Sequence, residues 1–410
     1  CIRDRHSKGV YQIPYRCYVT PDLDNLFVGG RIISSSHVAN GTTRVMCTSA
    51  LGGEVIGRAA SICLSKGYKP IDLVDRDRIG LLQSLLVKNG NFIPGIAVAV
   101  EDNLADSAEI SVSSVLELDD LPADGTWFGL DYPIAQLIPV NGKVPVVRMN
   151  VKADNATRLV MELRSSSKSE NYTPDTIDAV LEFDLKKDEN EIVADFSYSY
   201  ATPRYAFICL MKNPEISVPM SGRLVTGLTA VYNYINPAVS NFGKQVPPEG
   251  IGVEEFEFWC PKRRPESKNI AMSFAPPLAS FNSENLRNSY YRPYIGTNAW
   301  VAAFDDARPE VCFKWNGRKQ IKTIILYFDT DTDQAMETVQ MGHFDACVPT
   351  CYREYIVRDS VGKELYHITG NHQTLNVLEL DQPVTTDAIY VNFVRPCGDV
   401  CPGLMGVYVC

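Results

Sequence analysis

The residues in this 410-residue chain best suited to chemistry gather near its start. Gly29 and Gly30 end the run Asp24-Asn-Leu-Phe-Val-Gly-Gly-Arg31. A glycine pair lets main chain lie close against a flat ligand, because no side chain holds it away. Arg31 and Arg44 are permanent cations that could pair with an anion. His37, in Ser34-Ser-Ser-His37, is the nearby side chain that could shuttle a proton at neutral pH. Arg44-Val-Met46 leads to Thr48, where a helix is expected to begin. Its first N–H groups would be unpaired and partly positive, worth about 0.3–1 kcal/mol to an anion placed there.

The elements that must hold these residues can be read from spacing. Apolar or small residues at Leu51, Val55, Ala59, Ile62 and Cys63 give a helix over Thr48–Lys66, stopped by Gly67 with Pro70 beyond it. Gly52, Gly53, Gly57, Ala59 and Ala60 thin one side of it. Each glycine costs that helix up to about 1 kcal/mol, so something is expected to approach it closely. Asp75 caps a second helix through Leu81, Leu82, Leu85 and Leu86, ended by Gly90.

Beyond about residue 105 the period changes to two. Strands are expected at Val146–Val151, Arg158–Leu163, Ala179–Leu185, Ile192–Tyr198, Arg204–Leu210 and Val253–Trp259. The charged turn Lys186–Glu191 reads as joining two of them in a hairpin. Further strands follow at Ile321–Phe328, Ala388–Phe393 and Val407–Val409, with a hairpin of Arg353–Val357 and Leu365–Ile368. Cys260–Lys268, charged and proline-containing, reads as the linker between two β-sandwiches. The fold class expected is multidomain α+β: residues 1–95 a truncated α/β remnant, then mainly antiparallel sandwiches over 105–262 and 263–410.

Net charge is −10, which argues against nonspecific binding to nucleic acid or anionic membrane. No apolar run reaches the length of a membrane span; the most apolar stretch, Gly95–Val100, is strand-sized. Six of twelve cysteines fall in the last hundred residues: Cys312, Cys347, Cys351, Cys397, Cys401 and Cys410. Free thiols, disulfides of an exported protein and a zinc site all remain open readings. Pro349 prevents His343, Cys347 and Cys351 from sharing one unbroken helix. Asp329, Asp331 and Asp333 alternate but lack the glycine and distal glutamate of a calcium loop, so no metal site is assigned.

The order Tyr11–Arg16, Asp24–Arg31, Ser34–His37, Gly41–Met46 and Gly53–Ala60 resembles the C-terminal end of a bacterial family of FAD-dependent oxidoreductases. The resemblance covers about residues 1–95. It implies that a strand ends at Gly29-Gly30-Arg31, that the chain then passes the flavin, and that a helix runs away from it. It implies cofactor roles for Gly29, Gly30, Arg31, Arg44, Val45, Met46 and Thr48, and a proton-carrying role for His37. Such domains bind the ADP half of FAD on an N-terminal Gly-x-Gly-x-x-Gly unit, and these residues contain no such motif. The chain is therefore expected to be a fragment with an incomplete FAD site, whose missing N-terminal portion or second chain is its partner.

A second set, Asn288–Tyr294, Gly296–Trp300, Phe328–Asp331 and Val384–Val391, looks like a discoidin-type β-sandwich of the kind that serves as a carbohydrate-binding module. On that likeness Tyr290, Tyr291, Tyr294 and Trp300 could stack on a sugar ring, whose apolar face suits an aromatic platform. Two functions follow as expectations: part of an oxidoreductase acting on a small organic, carbohydrate-derived compound, or a carbohydrate- or protein-binding module without catalysis. A periplasmic or secreted location is expected if the C-terminal cysteines are disulfide-bonded.

Overall fold

The structure is a computed structural model that describes residues 11–96, 103–167, 174–233, 244–245, 256–257, 259–262, 266–330 and 350–410. The chain divides into two compact units, one within residues 10–102 and one within 103–410. The first is helical and the second is built from antiparallel sheets.

In the first unit, α1 is His37–Thr43, α2 is Met46–Lys66 and α3 is Arg76–Lys88. The punctuation expected from sequence is in place. Gly67 ends α2 in the left-handed region at φ 67°, where its N–H reaches Cys63 O. The Asp75 carboxylate accepts from Asp77 N at the start of α3. Ala59 and Cys63 of α2 pack on Leu73, Leu82 and Leu86, with Tyr15 and Val19 completing a small core. The strand expected before Gly29-Gly30-Arg31 does not form. An isolated bridge, Val19 to Phe27, stands in its place, and Gly30–Ile32 makes a 3-10 turn. That turn needs glycine, since Gly30 has φ +68°.

In the second unit the strands run β1 Glu109–Val112, β2 Leu118–Leu121, β3 Trp127–Leu130, β4 Ile134–Val140, β5 Val146–Ala153, β6 Thr157–Ser165, β7 Thr176–Leu185 and β8 Asp188–Ala194. They continue with β9 Arg204–Leu210, β10 Asn213–Ser221, β11 Thr229–Tyr232, β12 Lys244–Gln245, β13 Phe256–Glu257, β14 Cys260–Pro261, β15 Asn269–Ile270 and β16 Met272–Leu278. The last are β17 Trp300–Val301, β18 Glu310–Phe328, β19 Tyr352–Asp359, β20 Glu364–Ile368, β21 Leu375–Pro396 and β22 Gly403–Val409.

One sheet of the middle sandwich has the order β14-β11-β4-β9-β6-β7; the other has β15-β10-β5-β16-β2, with β3 on β10 and β8 on β5. β4 is buried at every position, as a strand covered on both faces must be. β5 alternates buried and open residues, so one face of its sheet meets solvent. The last sheet runs β17-β22-β18-β21-β19-β20. Register shifts near Lys314–Lys319 and Ile321–Thr323 let the long β18 bend, which lets one sheet enclose a core around Trp300, Phe313, Phe328 and Tyr355.

Three pairings differ from the sequence reading. The turn Lys186–Glu191 is not a hairpin: β7 pairs with β6, and β8 pairs with β5 in the opposite sheet. Asp188 takes φ 75° there, and the Asn190 side chain bonds both Lys186 N and Lys186 O. β1 pairs with β18, placing Glu109–Val112 in the last sheet. β15 and β16 pair with β10, β5 and β2, placing Asn269–Leu278 in the middle sandwich. Alternation identifies a strand, but the partner is chosen by packing far along the chain. The expected hairpin of β19 and β20 does form. Gly95–Val100 and Val253–Trp259 lie largely outside the described residues.

Candidate functional site

Of the residues expected to meet a flat cofactor, Met46 and Thr48 lie in the first turn of α2 with Arg44 and Val45 just before it, whereas Gly29 lies beside Ile56, further along the helix. No side chain caps this helix at Val45. Val45 is 51% exposed and Met46 86%, so the first N–H groups of a 21-residue helix face open space. Thr48, one turn in, exchanges a 2.8 Å hydrogen bond with Tyr11 Oη. Arg44 is the C-cap of α1 and is exposed, as is Arg31. His37 is the first residue of α1, exposed, after the Ser36 cap whose Oγ accepts from Ala39 N. The Thr43 hydroxyl, at the α1–α2 junction, is buried and has no hydrogen-bond partner among the described residues. Leaving such a group buried and unpaired costs about 1–3 kcal/mol.

Gly29 serves a purpose other than the one expected. A Cβ on it would lie 2.9 Å from Ile56 Cδ1, so the close approach it permits is that of α2. Gly52 likewise gives room to Tyr18, whose Cε1 would be 2.9 Å from an added Cβ. Burial raises the Tyr18 phenol above its ordinary range, as expected for a ring pressed on a helix. Gly53 and Gly57, by contrast, have open space where a Cβ would stand. A consequence is measurable by urea unfolding of this chain. Gly57→Ala should add up to about 1 kcal/mol through helix propensity. Gly52→Ala should cost about 1–3 kcal/mol by displacing Tyr18. Loss of stability in Gly57→Ala would mean that another part of this chain packs on it.

Sequence reasoning overlooked the apolar surface around these residues. Ile32, Val38, Val45, Met46, Leu51 and Leu64 are all more than half exposed, in a unit whose own core is small. Met46, Leu51 and Leu64 are legible in retrospect as apolar side chains out of phase with the buried face of α2; Ile32 and Val38 precede that helix.

The aromatic platform expected in the last sandwich requires correction. Trp300 is 0% exposed in the core, where its Nε1 donates to Ser114 O at 2.9 Å, and Tyr294 is 5% exposed. Tyr291 lies flat on Tyr327, ring centroids 3.5 Å apart, and burial pushes its phenol up to about 12. Tyr290, half-buried, tilts against Tyr294. A tryptophan sealed in the core cannot stack on a sugar; its indole fills the sandwich instead.

Asp329 is buried and accepts from Thr226 Oγ1 at 2.8 Å, while Asp331 and Asp333 lie outside the described residues. No group of side chains able to hold a metal ion occurs among the described residues. Cys397 is disulfide-bonded. Cys351 and Cys401 are free thiols that burial pushes up to about 12; Cys347 and His343 lie outside the described residues. Among the described residues no helix is long and apolar enough to cross a membrane.

No curated protein matches the chain. Several solved structures are similar to about a third of it. One is the family 32 carbohydrate-binding module from Streptococcus pneumoniae EndoD, with 11% identity over 32% of this chain and 86% of that one, at a TM-score of 0.25. A second is a Clostridium perfringens module in complex with GalNAc-β-1,3-galactose, with 8% identity over 32% of this chain and 82% of that one, at a TM-score of 0.23. A third is the family 32 module of C. perfringens NanJ in complex with galactose, with 11% identity over 32% and 83%, at a TM-score of 0.22. At the other end of the chain, where the uncapped helix, the apolar surface and the orphaned hydroxyl lie together, residues 3–86 match the family of FAD dependent oxidoreductases.

Proposed function

We propose that residues 11–96 form the closing segment of an FAD-binding domain, in an oxidoreductase that acts on a small organic compound. The observation that carries this reading is the bare N-terminus of α2, set in an exposed apolar surface inside the segment matched by the family. Its N–H groups fit the pyrimidine end of a flavin, where negative charge collects on reduction. When bound, FAD supplies the electron-accepting and electron-donating chemistry. The chain's contribution is to orient one end of the ring with main-chain donors at Met46 to Thr48 and to shield it with Ile32, Val45 and Met46. Arg31 and Arg44, both exposed, would meet an anionic group, and His37, also exposed, would move a proton at the open edge.

The residues fit one end of the cofactor only. A diphosphate is ordinarily held on a Gly-x-Gly-x-x-Gly turn, which the sequence lacks, so that half must come from a preceding segment or a second polypeptide. The test is spectroscopic. This chain mixed with FAD should retain no flavin absorption after gel filtration. The same chain joined to a strand–Gly-x-Gly-x-x-Gly–helix segment encoded upstream, or by a neighbouring gene, should elute yellow. A colourless, FAD-refractory product from every such pairing would remove the oxidoreductase reading.

A further inference from the structure

A recess lies in the middle sandwich, in a part of the chain to which nothing above assigns a role. It exists because one strand edge is shared. β5 pairs with β16 at Val146–Arg148 and with β10 at Lys152–Ala153, leaving Met149–Val151 between two neighbours. β10 and the chain leading into β16 are bonded near Pro219–Ser221 and Asn269–Ala271, then part to embrace β5. The fork opens a cavity of about 400 Å³ on the solvent face of the sheet. That is within the range of ligand pockets.

Leu121, Met149 and Met272 lie beneath the cavity, each no more than 5% exposed, with their side chains turned toward the core. Trp127 of β3 forms a wall and remains 39% exposed. Lys152 Nζ sits 4.1 Å from the centre of its ring and is paired with Glu189 at 3.3 Å, which braces the indole. Around this wall stand Asp120, Arg148, Asn150 and Glu191. The side chains of Arg148, Asn150 and Glu191 make no hydrogen bond or ion pair among the described residues, although β-sheet alternation points all three to the same open face. A part-exposed indole and three side chains free to bond a ligand thus share one face, whereas Arg158 and Arg164 elsewhere in this sandwich are each tied to carboxylates.

We infer that this recess binds a neutral saccharide. Arg148 can only donate, Asp120 and Glu191 as carboxylates can only accept, and Asn150 does both. A sugar hydroxyl both donates and accepts, so a polyhydroxylated ring satisfies such a mixture where simpler ligands do not. An anionic ligand would meet Asp120, Glu189 and Glu191; a polycation would meet Arg148 and Lys152. The C–H face of a pyranose packs on an indole, which supplies the remaining wall. The site is independent of the FAD segment and of Tyr290 and Tyr291.

The test is binding of the fluorescently labelled 410-residue chain to an array of neutral oligosaccharides built from hexoses and N-acetylhexosamines, with hits titrated calorimetrically. The wild type should bind at least one of them. Trp127→Ala should weaken that binding by at least about tenfold, as loss of an aromatic anchor does. Because Trp127 could also support its sheet, Arg148→Ala and Glu191→Gln, both at exposed positions, form a second arm. Each should weaken binding several-fold while the thermal midpoint stays at the wild-type value. The inference is overturned if the wild type binds no neutral oligosaccharide or binds only acidic ones. It is equally overturned if all three variants keep wild-type affinity, or if binding is lost in Tyr290→Ala instead.

Discussion

Replacing Trp300 by alanine is expected to cost about 3–5 kcal/mol, the range for deleting a large buried aromatic. The indole is fully buried, contacts Phe393 with ring centroids 5.5 Å apart, and carries a hydrogen bond to Ser114 O. Its removal leaves both a void and an unsatisfied carbonyl. Since whole domains are commonly stable by about 5–15 kcal/mol, the last sandwich should be largely unfolded at moderate urea. Intrinsic fluorescence and circular dichroism during urea titration measure this. A loss below about 1 kcal/mol, with any sugar affinity abolished, would restore Trp300 as a surface platform and contradict its position in the core.

The second large effect concerns the start of α2. Met46→Glu places a carboxylate where the helix has no capping side chain and where the wild-type residue is 86% exposed. On its own the change should leave the chain as stable or slightly more so, because an acid in the first turn complements the helix dipole by about 0.3–1 kcal/mol. If the chain closes an FAD site as proposed, then in the FAD-loaded protein the same carboxylate would crowd the flavin's electron-rich end. FAD affinity should then fall by on the order of tenfold, which is about 1.4 kcal/mol, and the bound flavin's reduction potential should drop. Met46→Lys should shift the potential the other way. Stability and cofactor affinity thus move in opposite directions for one substitution, which a merely structural role for Met46 would not produce. Unchanged affinity and potential in both variants would show that the flavin lies elsewhere.

The helical unit was the more legible half because its signals are local. Gly67, Asp75 and the apolar spacing of α2 act within one or two turns, and each sits where its chemistry requires. A continuous apolar run likewise delimited β9 over Arg204–Leu210. What alternation cannot convey is which sheet a strand joins. β7 and β8 have the residue types of a hairpin, yet a residue at φ 75° and an asparagine clamp turn their connection from one sheet to the other. Aromatic function was hidden for a related reason. Trp127 and Trp300 are the same side chain in similar strands, and only the layers packed on each decide that one is exposed and the other sealed. The glycines of α2 were legible as a place of close approach. Their partners were not: Tyr18 fills the space at Gly52, and the structure leaves Gly53 and Gly57 open.

The order of strands in the last sheet has a consequence for biosynthesis. β1 leaves the ribosome about two hundred residues before the strand it pairs with, and β22 lies between β17 and β18 rather than at an edge. Closing so long a loop carries an entropic toll that grows slowly with length, and distant pairings are the slow ones. The sheet cannot be finished until β22, the last of its strands in sequence, has left the exit tunnel. During translation β18 therefore waits with one flank bare, a template for stray pairing that a chaperone or rapid completion must cover.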